Sequence, residues 1–359
     1  MQILALTRYG QLGASSRLRT HQFARYLEGQ GIHLQLEPFF DDAYVKAIYG
    51  TDRRSLSVAG HFIRRASALF RSAEADAIWM EKEAFPWLPW MIERACLPRS
   101  IPLIVDYDDA IFHRYDMHKS GVVRALLGKK IDSVMRRADL VLAGNPYLAE
   151  RARTARANRV EIIPTVVDLE RYTPTWSRRD SKPVVIGWIG SPTTALYLAP
   201  VKRLLSRLAA RYPISCVAIG ARQDQVADGP FIATAWSEAD EVKLLSEIDI
   251  GIMPLPDEPY TQGKCGYKLI QYMACGLPVV ASAVGVNKEI VREGENGFLA
   301  TSDREWEDAL VRLILDPDLR RRMGVAGRIR VEAEFSLQRQ APRLEQLLRS
   351  VTARIGTAT

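Results

Sequence analysis

The chain alternates short apolar runs with amphipathic stretches of helical period, and it does so twice. In the first half the runs are residues 3–7, 32–36, 77–80, 103–106 and 140–143. In the second they are 184–189, 214–219, 248–253 and 278–281, with helical stretches at 195–211, 238–247 and 264–275 between them. Strands that alternate with helices must run parallel and be joined by right-handed crossovers. That leaves few folds open besides doubly wound α/β sheets.

Between the two series the pattern pauses at residues 164–183. This stretch holds Pro164, Pro174 and Pro183 among polar residues and reads as a linker. A chain of 359 residues has the length of two domains. The expected domains are 1–175 and 183–336, followed by a last helical stretch at 337–359. In such sheets ligands bind beyond the carboxyl ends of the strands, and with two domains the expected site is the cleft they form.

The net charge of +7 is a modest surplus, 49 basic against 42 acidic residues. It favours an anionic partner without choosing one. No aromatic–basic pattern of a nucleic-acid binder accompanies it, so no nucleic acid is expected. No apolar run approaches the ~18 residues of a membrane span, and residues 1–7 read as a strand, not a signal peptide. Cysteines 96, 216, 265 and 275 form no Cys-x-x-Cys and read as free thiols of a reducing cytoplasm. Together with five histidines they offer no zinc spacing.

The loop after the first strand reads Tyr9-Gly10-Gln11-Leu12-Gly13-Ala14-Ser15-Ser16-Arg17-Leu18-Arg19. Small residues such as Gly13 let backbone approach a ligand closely. Arg17 and Arg19 stand in a first helical turn, where the helix dipole disfavours cations. That placement suits contact with a phosphate; an ordinary tight turn with solvated arginines is the plain alternative. The spacing is neither Gly-x-Gly-x-x-Gly nor a Walker motif.

The most informative stretch is Gly263-Lys264-Cys265-Gly266-Tyr267-Lys268-Leu269-Ile270-Gln271-Tyr272-Met273-Ala274-Cys275-Gly276-Leu277-Pro278-Val279-Val280-Ala281-Ser282. A helix ends at Gly276, and Pro278 opens a buried strand. Val291-Arg292-Glu293-Gly294-Glu295-Asn296-Gly297-Phe298-Leu299 follows. This pair of motifs resembles glycosyltransferase family 4, retaining enzymes of the GT-B fold, whose helix–strand motif is Glu-Ala-Met-Ala-x-Gly-x-Pro-Val-Val. The resemblance continues in Arg159-Val160-Glu161-Ile162-Ile163-Pro164-Thr165-Val166-Val167-Asp168, in Ala138–Ala143 and in Gly187-Trp188-Ile189-Gly190. It implies two facing Rossmann-like domains with a final helix, 337–359, crossing back to the first.

The departures from the family pattern are specific. Its two glutamates fall here on Gly263 and Gln271. The resemblance gives the second a role at the ribose, which an amide keeps within reach; the first usually touches the donor sugar, and Gly263 has no side chain to do so. The family's phosphate-binding Arg and Lys fall on Ser191 and Tyr197. Lys264 and Lys268, four apart, share a face of the expected helix and are candidates for the missing charge beside a departing diphosphate. The turn at Gly190–Ser191 completes the expected nucleotide site; solvated surface lysines are the plain alternative.

Leu103-Ile104-Val105-Asp106-Tyr107-Asp108-Asp109-Ala110-Ile111-Phe112-His113 sets three carboxylates at the carboxyl end of a strand. Asp108 and Asp109 are candidates for holding hydroxyls or for acid–base work, with His113 beside them; pinning a loop is the alternative for one of the three aspartates. Asp106-Tyr107-Asp108 could also suit a divalent metal, but the resemblance implies none, and no cofactor besides the nucleotide-sugar substrate. His118 reads as a loop histidine.

Residues 53–72 hold five arginines and no acid, with Leu56, Ala59, Phe62, Ile63, Ala66, Leu69 and Phe70 on one stripe. Such a helix can lie on an anionic membrane, or be a domain helix with its arginines in water. Trp79, Phe85, Trp87 and Trp90 suit either a core or a sugar-binding face.

Taken together, the resemblance implies transfer of a sugar, with retention, from a nucleoside-diphosphate sugar to a saccharide or lipid-linked saccharide, in cell-surface polysaccharide assembly. The expected place is the cytoplasm, at the inner membrane face. A nucleotide-sugar epimerase and a non-catalytic nucleotide-sugar-binding partner share the fold and remain open.

Overall fold

The computed structural model describes residues 1–49, 59–174 and 183–353. Two six-stranded sheets organise it, with every pairing parallel. The first contains β1 (Gln2–Tyr9), β2 (His33–Phe40), β3 (Ala77–Glu81), β4 (Leu103–Tyr107), β5 (Leu140–Ala143) and β6 (Val160–Ile162), in the order β2-β1-β3-β4-β5-β6. The second contains β7 (Val184–Ile189), β8 (Ile214–Ile219), β9 (Phe231–Thr234), β10 (Ile250–Met253), β11 (Val279–Ser282) and β12 (Gly297–Ala300), in the order β12-β11-β10-β7-β8-β9.

β3, β4 and β5 are buried along their whole length, as strands covered on both faces must be. Each large aliphatic side chain they hide contributes roughly 1.5–3 kcal/mol. Strands β6, β9 and β12 lie outside the apolar runs picked out above. They are three or four residues long, and all three are sheet edges, β6 and β9 with largely half-exposed side chains. A short edge strand needs no continuous apolar run, so periodicity does not reveal it.

The chain divides into two compact units. The first comprises Met1–Thr165, Gly263–Cys265 and Gln340–Thr359; the second comprises Val166–Gln262 and Gly266–Arg339. Residues 166–174 therefore are not a free linker. Val167 exchanges backbone hydrogen bonds with Phe335 and Leu337, and the Tyr172 side chain is buried in the core of the second unit.

The helices that shape the two candidate sites are α1 (Ala14–Arg19), α2 (Ala59–Phe70), α3 (Trp90–Cys96), α4 (Pro146–Thr154), α5 (Tyr267–Ala274), α6 (Asp303–Leu315), α7 (Pro317–Glu334) and α8 (Leu337–Ala353). From Gln340 on, α8 belongs to the first unit. Its Leu344, Leu347, Leu348 and Val351 are buried, Glu345 accepts from Tyr26 Oη at 3.1 Å, and Ser350 accepts from Arg159 at 2.8 Å. Among the described residues no helix is long and apolar enough to cross a membrane.

Candidate active site

The register of the first sheet brings its functional side chains to one edge. Glu81 pairs with Asp106 and Tyr107 with Ala143, so β3, β4 and β5 end together. Just past these ends lie Lys82, Asp108, Asp109 and Gly144. Lys82 Nζ is 2.8 Å from Asp108 Oδ1, 3.5 Å from Asp109 Oδ2 and 3.5 Å from Glu81 Oε1, and it donates to Ser15 Oγ at 3.0 Å. Ser15 in turn donates to Asp108 Oδ2. The lysine side chain is only 4% exposed, whereas the two aspartates keep 18% and 20%.

Lys82 also has a left-handed backbone, φ 64°. Such a conformation costs a β-carbon-bearing residue about 1–3 kcal/mol and persists only where the surroundings fix it. They do: Lys82 N–H donates to Asp106 O at 2.9 Å, and its carbonyl accepts from Tyr107 Oη at 3.0 Å. Burial by itself would lower the Lys82 pKa. The carboxylates of Asp108, Asp109 and Glu81 outweigh burial and raise it well above the usual value. Burial likewise would raise Asp108, but Lys82 and the Ser15 hydroxyl hold it down at about 2. The group is thus an ion cluster with two partly exposed carboxylates on a buried ammonium. Sequence reasoning missed Lys82; the charged triplet Glu81-Lys82-Glu83 directly after an apolar strand was the available signal.

Asp106 is separate from this pair. It takes a bidentate contact from Arg19 at 2.8 and 3.2 Å, deep in the unit. Burial pushes it up to about 6 while Arg19 opposes. Arg19 also donates to Ile163 O at 2.7 Å and is 2% exposed. The expectation that Arg19 reaches a phosphate is therefore corrected: its guanidinium is used within the core. Arg17 is 6% exposed and donates to Gln11 O at 3.2 Å, across the turn that precedes its own helix. Gly13 is a packing requirement, because a β-carbon there would lie 2.2 Å from that of Tyr9.

His113 stands between two partners, Tyr147 Oη at 2.7 Å from Nε2 and Asp116 at 2.9 Å from Nδ1. Asp116 is paired with Arg151 at 3.0 Å, which also holds Asp132. This Tyr–His–Asp chain can pass or hold a proton. His118 accepts from Ser120 N–H and stands edge-on to Trp87, a structural loop role. Trp79 and Phe85 are core residues, whereas Trp87 is half exposed.

The segment Gly263-Lys264-Cys265 is seated on the first unit. Asn145 caps α4 by accepting from Leu148 N–H at 2.9 Å, and its amide donates to Gly263 O and Lys264 O at 3.0 Å each. Cys265 Sγ donates to Asp108 O at 3.0 Å. A β-carbon at position 263 would lie 2.5 Å from Ala110 Cβ and 2.8 Å from its nitrogen, which accounts for glycine where the family pattern has glutamate. The expected shared helical face of Lys264 and Lys268 is corrected. α5 begins at Tyr267, and Gly266 before it is left-handed at φ 65°, so Lys264 lies outside the helix.

In the second unit, β7 runs into the Gly190–Ser191 turn. Gly190 N–H donates to Ile219 O at 2.9 Å, and a β-carbon at Gly190 would meet the Trp188 ring at 2.3 Å. Ser191 N–H donates to Thr194 Oγ1 at 3.1 Å, and its hydroxyl is 2.8 Å from that of Thr193. Lys268 Nζ stands 5.5 Å over the Trp188 ring, which brings its charge beside this hydroxyl-rich turn. Tyr272, on the same helix, accepts from Ile189 N–H at 2.9 Å and donates to Ile252 O, fixing α5 to β7 and β10.

Gln271 departs from the ribose role expected of it. It is 3% exposed and donates to Tyr172 Oη at 3.0 Å. Tyr172 also contacts Tyr267 at 3.2 Å and donates to Glu241, which accepts from Trp236 at 2.8 Å. The amide thus joins a buried network within the unit.

Helix α2 covers only part of the basic stretch; Arg53, Arg54 and Leu56 lie outside the described residues. Its arginines do not form a solvent face. Arg65 is 2% exposed and donates to Thr7 O at 2.6 Å and Glu37 O at 3.1 Å; Arg64 donates to Phe39 O at 2.9 Å. They cap carbonyls at the ends of β1 and β2. Of the apolar stripe, Ile63 and Phe70 are 69% and 77% exposed. Among the described residues no group of three or more His, Cys, Asp or Glu is arranged to hold a metal ion.

Two doubly wound parallel sheets, each with its polar groups at the carboxyl ends of central strands, define a GT-B fold. Residues 193–316 match the family model described as Glycosyl transferases group 1. Beyond that segment the chain is similar, at low identity, to curated glycosyltransferases. It is 28% identical over 221 residues to D-inositol 3-phosphate glycosyltransferase of Corynebacterium jeikeium, covering 52% of this chain and 51% of the relative. It is 28% identical over 239 residues to a GDP-mannose-dependent monoacylated alpha-(1-6)-phosphatidylinositol monomannoside mannosyltransferase of Corynebacterium glutamicum, covering 59% and 62%. The match thus spans about half to three-fifths of these relatives. Among solved structures, sucrose-phosphate synthase of Thermosynechococcus elongatus is similar at TM-score 0.73 and 17% identity, over 99% of this chain and 100% of that one. Anabaena HepE in complex with UDP-glucose is similar at TM-score 0.71 and 19% identity, over 98% and 100%.

Proposed function

We propose that the protein transfers a sugar from a nucleoside-diphosphate sugar to a hydroxyl of a saccharide or lipid-linked saccharide, with retention, in cell-surface polysaccharide assembly. The observation that carries this reading is the Lys82–Asp108–Asp109 cluster at the strand ends of the first unit. The family glutamate that touches the donor sugar has no room at Gly263, and two half-open carboxylates stand on the neighbouring segment. Asp108 and Asp109 hold sugar hydroxyls, and Lys82 keeps Asp108 ionised at neutral pH. His113, backed by Asp116, takes or returns a proton through Tyr147.

In the second unit the diphosphate is met by Lys268, by the hydroxyls at Gly190–Ser191 and by the left-handed start of α5. An opposite charge at the departing diphosphate is what lowers the barrier to breaking the glycosidic bond. The nucleotide-sugar contact of Gly13 and Arg17 is indirect, through the turn they shape. The reading calls for no cofactor besides the donor, since the ammonium of Lys82 already offsets part of the charge of the aspartate pair. The relatives named for D-inositol 3-phosphate and for a monoacylated phosphatidylinositol monomannoside support a polar or lipid-linked acceptor. Exposed Ile63 and Phe70 on α2, next to Arg71, support work at a membrane surface, which the reading places on the cytoplasmic side.

A second reading, a nucleotide-sugar-binding partner without turnover, is favoured by the glycine at 263 and the buried Gln271. One experiment separates the two. The protein is incubated with UDP- and GDP-hexoses and a panel of polyprenyl-linked saccharides, and nucleoside diphosphate release is followed with product anomeric configuration by NMR. Acceptor-dependent release with retained configuration is expected. Donor binding without release, for every acceptor, would favour the partner.

A further inference from the structure

At the amino-terminal edge of the first sheet, away from Asp108, lies a cavity of about 280 Å³ lined by Trp90, Arg94, Leu97, Arg99 and Arg137. Trp90 and Arg94 come from α3, one turn apart. Leu97 and Arg99 come from the connection into β4, and Arg137 precedes β5. The strand ends that carry Asp108 and Asp109 are one strand length away, roughly 15 Å. The cavity is therefore distinct from the sites described above.

Three guanidinium groups around one cavity repel each other unless something negative offsets them. The protein offers little. Arg137 donates to Pro98 O at 3.1 Å and lies 3.5 Å from Asp139 Oδ2, whose carboxylate also accepts from Leu103 N–H at 2.8 Å. Arg94 and Arg99 have no ion pair and no side-chain hydrogen bond among the described residues. The nearest acid on α3, Glu93, is fully buried and committed to Lys130 at 3.0 Å and to Ala84 N–H at 2.8 Å. Guanidinium forks match the oxygen spacing of phosphate, and several together suit a dianion. Beside them α3 leaves Met91 and Ile92 74% and 46% exposed. That apolar rim fits a ligand whose phosphate is attached to a hydrophobic body.

We propose that this cavity binds the phosphate group of a phosphomonoester or phosphodiester, held by Arg94, Arg99 and Arg137 with Trp90 against it. The cavity is a second anion site, separate from the donor site. The guanidiniums remain protonated, no bond is made or broken, and the ligand is held by charge-assisted hydrogen bonds.

The test uses the full chain. Binding of glycerol 3-phosphate is measured by calorimetry, and binding to vesicles by flotation, with phosphatidylcholine–phosphatidic acid at about 4:1 against phosphatidylcholine alone. The variants are R94Q/R99Q, whose side chains are exposed, and R321Q/R322Q, an exposed basic pair in the other unit. Wild type is expected to bind at least one phosphate probe. R94Q/R99Q is expected to lose about tenfold or more in affinity with an unchanged melting temperature, as for loss of charge-assisted bonds. R321Q/R322Q is expected to match wild type. Binding of glycerol 3-phosphate alone would make the ligand a soluble phosphate ester, and binding of the acidic vesicles alone a lipid phosphate. No binding of either probe, binding unchanged in R94Q/R99Q, or an equal loss in R321Q/R322Q would overturn the proposal.

Discussion

Gly263 lies against Ala110 so closely that a β-carbon on it would stand 2.5 Å from the Ala110 β-carbon. The contact ties the signature segment of the second half of the chain to the aspartate loop of the first unit. It also explains, by packing alone, why the first family glutamate is missing. Real β-carbons do not approach this closely, and Ala110 N, 2.8 Å from the same point, is main chain and cannot swing aside.

Gly263→Ala is therefore expected to destabilise by about 1–3 kcal/mol, the usual cost of overpacking, and Gly263→Glu by more. Urea denaturation should show a lower midpoint with an unchanged slope. Gly263→Glu is also expected to give no gain in transfer. A stable Gly263→Glu with raised activity would mean the glutamate has room after all.

Replacing Lys82 strands two carboxylates beside Glu81. Lys82→Met is expected to cost roughly 3–5 kcal/mol, as for breaking a buried ion pair from one side. The double change Lys82→Met with Asp108→Asn should recover part of it. Asp108 holds its proton less readily folded than unfolded, about 2 against 3.8. Its contribution to stability is thus present above pH ~4 and lost as the pH falls towards 2. Acid titration of wild type and Asp108→Asn by circular dichroism checks this: the two curves should converge only below that range.

Three of the four thiols should be inert. Burial pushes Cys216 and Cys265 up to about 12, and Cys275 is fully buried. Cys96 is half-buried. Since the thiolate is the reacting species, native protein at pH 8 should show one fast thiol with Ellman's reagent. Cys96→Ser should abolish it, and urea should release the remainder.

Gln271→Glu restores the family residue but adds a carboxylate to a network that already holds Glu241 within reach of Tyr172. It is expected to lower stability by about 1–3 kcal/mol. A carboxyl buried there has a raised pKa, so it is tolerated at low pH and the penalty grows as the pH rises through that value. Thermal melts of the variant at pH 5 and pH 8 measure the difference.

Much of this architecture is legible in the residues. The buried central strands announce themselves as apolar runs, and the helix–strand motif at 267–282 fixes both the start of α5's partner strand and its glycine cap, Gly276 at φ 70°. Side-chain direction is less legible. Arg19, Arg65 and Gln271 are polar residues at plausible ligand-facing positions, yet each is turned inward by a partner distant in sequence: Asp106, the carbonyls of Thr7 and Glu37, and Tyr172. Periodicity carries no information about such long-range pairing. Lys82 is marked in the sequence only by the charged triplet Glu81-Lys82-Glu83, and its pairing is hidden for the same reason, since its partners lie on another strand end and on α1.

In the proposed function the second unit holds a nucleoside-diphosphate sugar beside Lys268. Isothermal titration of the full chain with UDP, GDP, ADP and their hexose conjugates tests it most directly, repeated on Lys268→Ala. Saturable binding of one nucleoside diphosphate and its sugar conjugate is predicted, weakened about tenfold or more in Lys268→Ala with the fold intact, as for a lost charge-assisted contact. Folded protein that binds none of them, or binding indifferent to Lys268→Ala, would contradict the account.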